Sequence, residues 1–172
     1  MRAFIGLGGN QHGSQTALAS AVRELGGIGQ VVRTSGLYLS AARDLLDQPD
    51  FINAALELET DLEPVDLLFA LKRLEMTLGR DPQGTRFGPR LIDLDILSLD
   101  GRCVADAELD LVIPHPRLVE RRFALEPLCE LGPGLQPWGG CADLRVDVTV
   151  ADLLPMVADQ EVSRIAGTEW AD

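Results

Sequence analysis

Positive charge is scarce in this chain. Fifteen lysines and arginines face 27 aspartates and glutamates, a formal net charge of −12 over 172 residues. That balance argues against general binding to nucleic acid or to anionic membrane. Long apolar runs are missing as well. The opening run, Met1-Arg2-Ala3-Phe4-Ile5-Gly6-Leu7, is too short for a signal-peptide core or a membrane span, and no later run approaches spanning length. Cysteine is rare: Cys103, Cys129 and Cys141 are odd in number and far apart. They show no metal-ligand spacing and suit a reducing cytoplasm, which is the expected location. There are only two histidines, His12 and His115, and no base partner lies near a cysteine in sequence. A nucleophile–base–acid triad is therefore absent, and direct transfer assisted by a metal is favoured over a covalent intermediate. Repeats and low-complexity tracts are also lacking, and no linker divides the chain. One domain over residues 1–172 is expected, long enough to bury about two-thirds of its unfolded surface, with a polar tail over 160–172 expected to fray.

What positive charge there is falls in clusters. Lys72, Arg73, Arg80, Arg86 and Arg90 share one segment, and Arg117, Arg121 and Arg122 another. Lys72, Arg73 and Arg122 read as solvated helix-face charges. The arginines at 80, 86 and 90 instead lead into Asp93-Leu94-Asp95, where Ile92, Leu94 and Ile96 alternate with the acids. Strand periodicity puts both carboxylates on one face with Cα atoms roughly 6–7 Å apart. A solvated edge strand is the plain alternative. The apolar opposite face and the approaching guanidinium groups favour a hard divalent cation bound with phosphate oxygens, although spacing alone does not count the ions.

The element order follows from periodicity and turn chemistry. Residues 2–7 read as a buried strand ended by Gly8-Gly9-Asn10, and Ser14 reads as the cap of a helix reaching Leu25. Residues 30–38 and 51–60 read as strands. Pro64 starts a second amphipathic helix that stops at Gly79. Residues 91–99 form the acidic strand, and Asp100-Gly101 signals a hairpin turn into a short fifth strand. This order, βαββαβ, predicts an α+β, ferredoxin-like core: an antiparallel sheet with helices on one face, followed by hairpin and helical additions. A short helix is expected after His115-Pro116. Another, capped by Thr149 with Asp152, is expected over 150–157 despite Pro155. The long connections 39–50 and 79–91 read as functional loops.

Gly6-Leu7-Gly8-Gly9-Asn10 fits neither the dinucleotide nor the Walker pattern, so a tight turn and ligand contact stay equally open. His115, between Pro114 and Pro116, is a candidate ligand contact or a structural histidine. Phe51 and Phe123 are by default core residues in a chain with 5% aromatics, and His12 reads as surface.

Several segments together resemble one family, the hydroxymethyl-dihydropterin pyrophosphokinases of folate biosynthesis. They are Gly6-Leu7-Gly8-Gly9-Asn10, the run Asp47-Gln48-Pro49-Asp50-Phe51-Ile52-Asn53-Ala54, Gly79-Arg80, the run from Arg86-Phe87-Gly88-Pro89-Arg90 through Asp95, and Ile113-Pro114-His115-Pro116-Arg117 through Phe123. The resemblance implies transfer of the terminal diphosphate of ATP to the hydroxymethyl group of a reduced pterin, releasing AMP, with ATP as co-substrate and two Mg²⁺ ions on Asp93 and Asp95. It implies that Arg80 and Arg90 stabilise the transferring group, that Arg86, His115 and Arg121 bind ATP phosphates, and that Glu75 lies near the nucleotide. Phe51 and Phe123 would sandwich the pterin while Asn53 reads its polar edge. Ser40, Arg43 and Phe87 would lie beside it. Ser40-Ala41-Ala42 stands where many members have Thr-Pro-Pro, which leaves that loop less preorganised. Pro82 stands where some have a further nucleotide-binding arginine, and Phe87 replaces a common tryptophan. The expected partners are these two small molecules, with no nucleic acid or membrane, and the expected state is a monomer. A metal-dependent phosphoesterase and a non-catalytic nucleotide- or pterin-binding module are the competing readings.

Overall fold

The computed structural model describes residues 1–43, 45–85, 87–100, 102–138 and 147–171. Strand β1 (Arg2–Gly9) alternates, with Ala3, Ile5 and Leu7 buried on one side and Phe4 on the other. Helix α1 (Ser14–Leu25) buries Leu18, Ala21 and Leu25 and ends at Gly26. Ser14 is its first residue rather than its cap, a position held by Gly13. The Ser14 hydroxyl instead donates to the Leu91 carbonyl at 2.8 Å and accepts from the Gln11 amide at 3.0 Å.

The strand expected over 30–38 is two strands, β2 (Gln30–Thr34) and β3 (Leu37–Ser40). Both pair with β4 (Phe51–Glu59). The break falls at buried Ser35, whose hydroxyl accepts from the Ala55 amide at 2.9 Å and so takes a bond that a continuous ladder would make with backbone. Helix α2 (Pro64–Thr77) begins at proline as expected and buries Leu67, Leu71 and Glu75. Gly79, at φ 97°, ends it in a conformation that side chains disfavour. Strand β5 (Asp93–Leu99) carries the acid pair. The sheet runs β5-β1-β4-β3, with every pairing antiparallel, which is the order of a ferredoxin-like core.

The expected fifth strand does not extend this sheet. After one isolated bridge, Leu99 to Arg102, strand β6 (Val104–Asp106) pairs with β7 (Leu111–Ile113) in a separate hairpin. A 3₁₀ turn (Leu118–Glu120) then leads into α3 (Arg122–Leu131). Helix α4 (Val150–Leu153) has the anticipated capping box, Thr149 with Asp152, and tightens to a 3₁₀ turn over Leu154–Val157, where Pro155 falls.

Helices cover both faces of the sheet: the core helices α1 and α2 lie on one face, as expected, and the added α3 and α4 cover the other. Ala3, Ile5, Leu7, Leu56, Leu58 and Leu94 pack against α1 and α2. Phe4, Ala55 and Leu97 pack on the other side with Leu125, Leu128, Trp138 and Val150. The C-terminal segment departs most from expectation. Residues 162–166 form β8 (Val162–Ala166), which pairs with β3 and extends the sheet. Trp170 beyond it is 7% exposed and donates its indole N–H to the Ser35 carbonyl at 2.8 Å. Backbone pairing and one aromatic order this tail, neither of which gives an apolar period.

Among the described residues Cys129 is free. Cys141 and Arg86 lie outside the described residues. No helix among the described residues is long and apolar enough to cross a membrane.

Candidate active site

Register builds the site. Gly8 of β1 lies between Asn53 of β4 and Asp93 of β5, and Gly6 lies between Ala55 and Asp95. Residues opposite one another in an antiparallel sheet share a face. Asn53 and both acids therefore look toward the α3 side of the sheet, across a central strand with no side chains there. Gly6 and Gly8 form part of the floor of a 480 Å³ cavity. A methyl group at Gly6 would come within 3.1 Å of Leu97. The glycine motif is thus a strand surface open to a ligand rather than only a turn.

Three walls rise from that floor. The first comes from β3, β4 and the loop between them. Asn53, 5% exposed, donates to Ser40 Oγ at 3.0 Å and to the carbonyl of Phe51 at 3.2 Å. Ser40, Arg43, Phe51 and Asn53 all line the cavity. The Arg43 guanidinium donates to the Glu120 carbonyl, tying this loop to the segment before α3. The second wall is the 79–91 loop, with Arg80, Phe87 and Arg90. Phe87 sits at φ 60° and accepts from Gln48 Nε2 at 2.9 Å through its carbonyl. The third wall is His115, Arg121 and Phe123. The Arg121 guanidinium lies 3.5 Å from His115 Nε2 and 5.6 Å above the Phe123 ring centroid.

The two acids share a face but differ in environment. Asp93 is gripped by Arg80 at one oxygen and by Arg90 at the other, at 2.7 Å. Burial pushes its carboxyl up, but Arg90 and Arg80, with Lys72, outweigh burial and hold it below the usual carboxylate range. No hydrogen bond or ion pair among the described residues reaches the Asp95 carboxylate. Burial pushes Asp95 up, and Asp93 beside it adds to the shift, against the weaker pull of Lys72, His115 and Arg121. Burial also pushes the His115 imidazole down. A half-buried carboxylate that no described residue bonds to, next to another carboxylate and facing a cationic cavity, suits a hard divalent ion that completes its shell with phosphate oxygens and water. No described group of three or more acidic, histidine or cysteine side chains could hold a metal without such help.

Of the residues singled out from sequence, Glu75 stands apart. It is not on the cavity wall. It is 1% exposed, and its Oε1 accepts from the Leu94 amide, from Lys72 at 2.9 Å and from Arg80 at 2.7 Å. Arg86 lies outside the described residues. Three residues were missed. Lys72, read as a solvated charge, lines the cavity and bonds to Glu75 and to the Leu94 carbonyl. Its i,i+3 spacing to Glu75 looks the same on a solvated helix face. Asn10 and Gln48 stood inside recognised motifs without an assigned task. Asn10 donates to Gln48 Oε1 and to the Pro49 carbonyl, both at 2.9 Å, and accepts from the Arg90 amide at 2.8 Å. It fastens the two long loops to each other.

Comparison with known proteins identifies the family. Residues 4–133 match the family described as 7,8-dihydro-6-hydroxymethylpterin-pyrophosphokinase (HPPK). The 2-amino-4-hydroxy-6-hydroxymethyldihydropteridine pyrophosphokinase of Methylorubrum extorquens is 41% identical over 137 residues, covering 78% of this chain and 84% of that protein. Its counterpart in Bacillus subtilis is 34% identical over 165 residues, covering 95% and 89%. A folate synthesis bifunctional protein of Arabidopsis thaliana is 40% identical over 128 residues, covering 74% of this chain, which spans 26% of the plant protein. In fold, a Plasmodium falciparum HPPK-DHPS crystal structure superposes with a TM-score of 0.70 at 14% identity, covering 92% of this chain and 44% of that one. The chain belongs to the 7,8-dihydro-6-hydroxymethylpterin-pyrophosphokinase family, the diphosphate-transferring enzymes of folate biosynthesis.

Proposed function

We propose that this cavity transfers the terminal diphosphate of ATP to the hydroxymethyl group of 6-hydroxymethyl-7,8-dihydropterin. The observation that carries the reading is the convergence, in one 480 Å³ space, of an acid pair, two arginines on one of the acids, two aromatic residues and a buried asparagine. Phe51 and Phe123 hold the pterin between their faces, and Asn53 reads its hydrogen-bonding edge. Ser40, Arg43 and Phe87 close that end. His115 and Arg121 bind phosphate oxygens, as Arg86 does on the resemblance alone, and Glu75 serves the nucleotide end through Lys72 and Arg80.

The pterin hydroxyl oxygen attacks the β-phosphorus in line. A new O–P bond forms, the bond from the β-phosphorus to the α,β-bridging oxygen breaks, and its electron pair leaves with AMP. The hydroxyl proton departs to solvent. Arg80 and Arg90 are placed to follow the charge as it moves from the β,γ-diphosphate onto the bridging oxygen. Asp93 and Asp95 would hold two Mg²⁺ ions, which supply neutralisation of phosphate charge and lower the cost of ionising the hydroxyl. Action as a monomer is part of the same proposal. Dependence on ATP favours a cytoplasmic setting.

The deciding experiment incubates the protein with ATP, Mg²⁺ and reduced hydroxymethylpterin and identifies the nucleotide product. AMP, formed one for one with pterin diphosphate, is the expected result. ADP, or phosphate released without pterin, would replace this reading with a phosphoesterase.

A further inference from the structure

We propose that Lys72 is a positioning residue for the transfer. Acting through Glu75, it fixes Arg80 against Asp93 and holds the backbone between the two acids in place. The proposal rests on the reaction assigned above.

The argument begins at Leu94, the residue between Asp93 and Asp95. Its amide and carbonyl point away from β1, off the outer edge of the sheet, so no strand satisfies them. Helix α2 does so instead. Glu75 accepts from the Leu94 amide, and Lys72 Nζ donates to the Leu94 carbonyl at 3.1 Å. Lys72 and Glu75 are themselves joined at 2.9 Å, so one turn of α2 clamps the peptide units that carry the acid pair. The clamp then reaches the reacting centre. Glu75 Oε1, the same oxygen, accepts from Arg80 NH1 at 2.7 Å, and Arg80 also donates to Asp93.

An exposed Lys–Glu pair on a helix contributes little. Here the Glu75 side chain is only 2% exposed, so removing Lys72 leaves a buried carboxylate with one cation instead of two. The carboxylate must then draw Arg80 toward itself or shift away from Leu94. Either movement displaces a group that has to meet the transition state with sub-ångström accuracy.

The test compares Lys72→Met with Lys72→Arg, measuring kcat and KM for both substrates and the urea midpoint. In Lys72→Met, kcat should fall about 10- to 100-fold while both KM values stay within about threefold of the original. Lys72→Arg should recover most of the turnover. If Lys72→Met does not fold, Lys72→Gln, which keeps one donor without the charge, should show the same split more weakly. Because part of its effect passes through Arg80, Lys72→Met should cost less in the Arg80→Ala background than in the parent, so the loss in the double variant should fall short of the product of the two single losses.

Unchanged kcat in Lys72→Met, losses that multiply with those of Arg80→Ala, or a rise in KM for ATP at constant kcat would each overturn the proposal. A crystal structure of Lys72→Met separates this failure from failure of the reaction itself. If the parent protein makes no AMP, the reaction is wrong. In that case, Arg80 still bonded to both Glu75 and Asp93 in the variant overturns the role of Lys72, and a displaced Arg80 supports it.

Discussion

Arg90 stands over the ring of Phe51, its guanidinium carbon 5.6 Å from the ring centroid, while its NH1 donates to Asp93 at 2.7 Å. One arginine thus links the acid pair to an aromatic wall of the cavity, the proposed phosphate end to the proposed pterin end. The two aromatics should therefore respond differently to truncation. Phe123→Ala removes a stacking face and should weaken pterin binding about tenfold, in line with an aromatic contact of roughly 1 kcal/mol plus lost area. Binding of an unreactive ATP analogue should change less than about threefold. Phe51→Ala also removes the surface that Arg90 rests on, so kcat should fall as well. Titration calorimetry on both variants checks this, and equal loss of ATP and pterin affinity in Phe123→Ala would contradict the assignment.

The acid pair makes a sharper demand. Asp95, which no described residue bonds to, should be needed for the metal alone, so Asp95→Ala should nearly abolish turnover while leaving the fold intact. Asp93 also balances Arg80 and Arg90. Asp93→Ala should likewise stop turnover, but it leaves two arginines without their carboxylate. Metal-free ATP should therefore bind Asp93→Ala more tightly than it binds the parent protein. Chelation by EDTA should stop the parent enzyme, with activity returning when Mg²⁺ is added. Turnover that persists in EDTA would refute the role of both acids.

The elements legible in the sequence were those with a period or a punctuating residue. The alternation around Asp93 and Asp95, Pro64 and Gly79 at the ends of α2, and the Thr149–Asp152 capping box all appear where the sequence put them. Three features had no such signal. Lys72 and Glu75 look like a surface pair until β5 packs against them. Ser35 interrupts a strand through a side-chain bond to a residue twenty positions away. The tail is ordered by pairing with β3, and its pattern of exposed and half-buried residues gives no apolar face.

That tail is fastened by a charged group whose contribution should depend on pH. Glu130 of α3 accepts from Arg164 of β8 at 2.8 Å, from the Tyr38 hydroxyl at 2.7 Å and from the Gly36 amide at 3.1 Å. Burial raises its carboxyl, but the bonds from Arg164, Tyr38 and Gly36 prevail and hold it below the usual carboxylate range. A group whose folded pKa is depressed contributes its stability above the unfolded value, near 4.3 for glutamate, and loses it as pH falls through the folded value. Glu130→Gln should therefore cost about 1–3 kcal/mol at neutral pH, and the gap from the parent should narrow as pH drops below about 4. Urea denaturation at several pH values measures that gap, and a gap independent of pH would remove Glu130 as its source.

Trp170 tests whether the tail is part of the fold. Its ring is buried against the core that contains α1, and its N–H bonds to Ser35 at the junction of β2 and β3. Trp170→Ala should cost about 3–5 kcal/mol, the range for a buried aromatic that leaves a cavity. Trp170→Phe, which keeps most of the packing and gives up the hydrogen bond, should cost nearer 1–2 kcal/mol. The effect should also reach the site, because β8 pairs with β3 up to Ser40, whose hydroxyl accepts from Asn53. Removing residues 160–172 strips that pairing. Pterin affinity should then fall by more than affinity for an ATP analogue, since the end of the cavity proposed to hold the nucleotide is built on β5 and the segment around His115. A truncated protein with the parent's stability and pterin affinity would show that the tail only rests on the sheet.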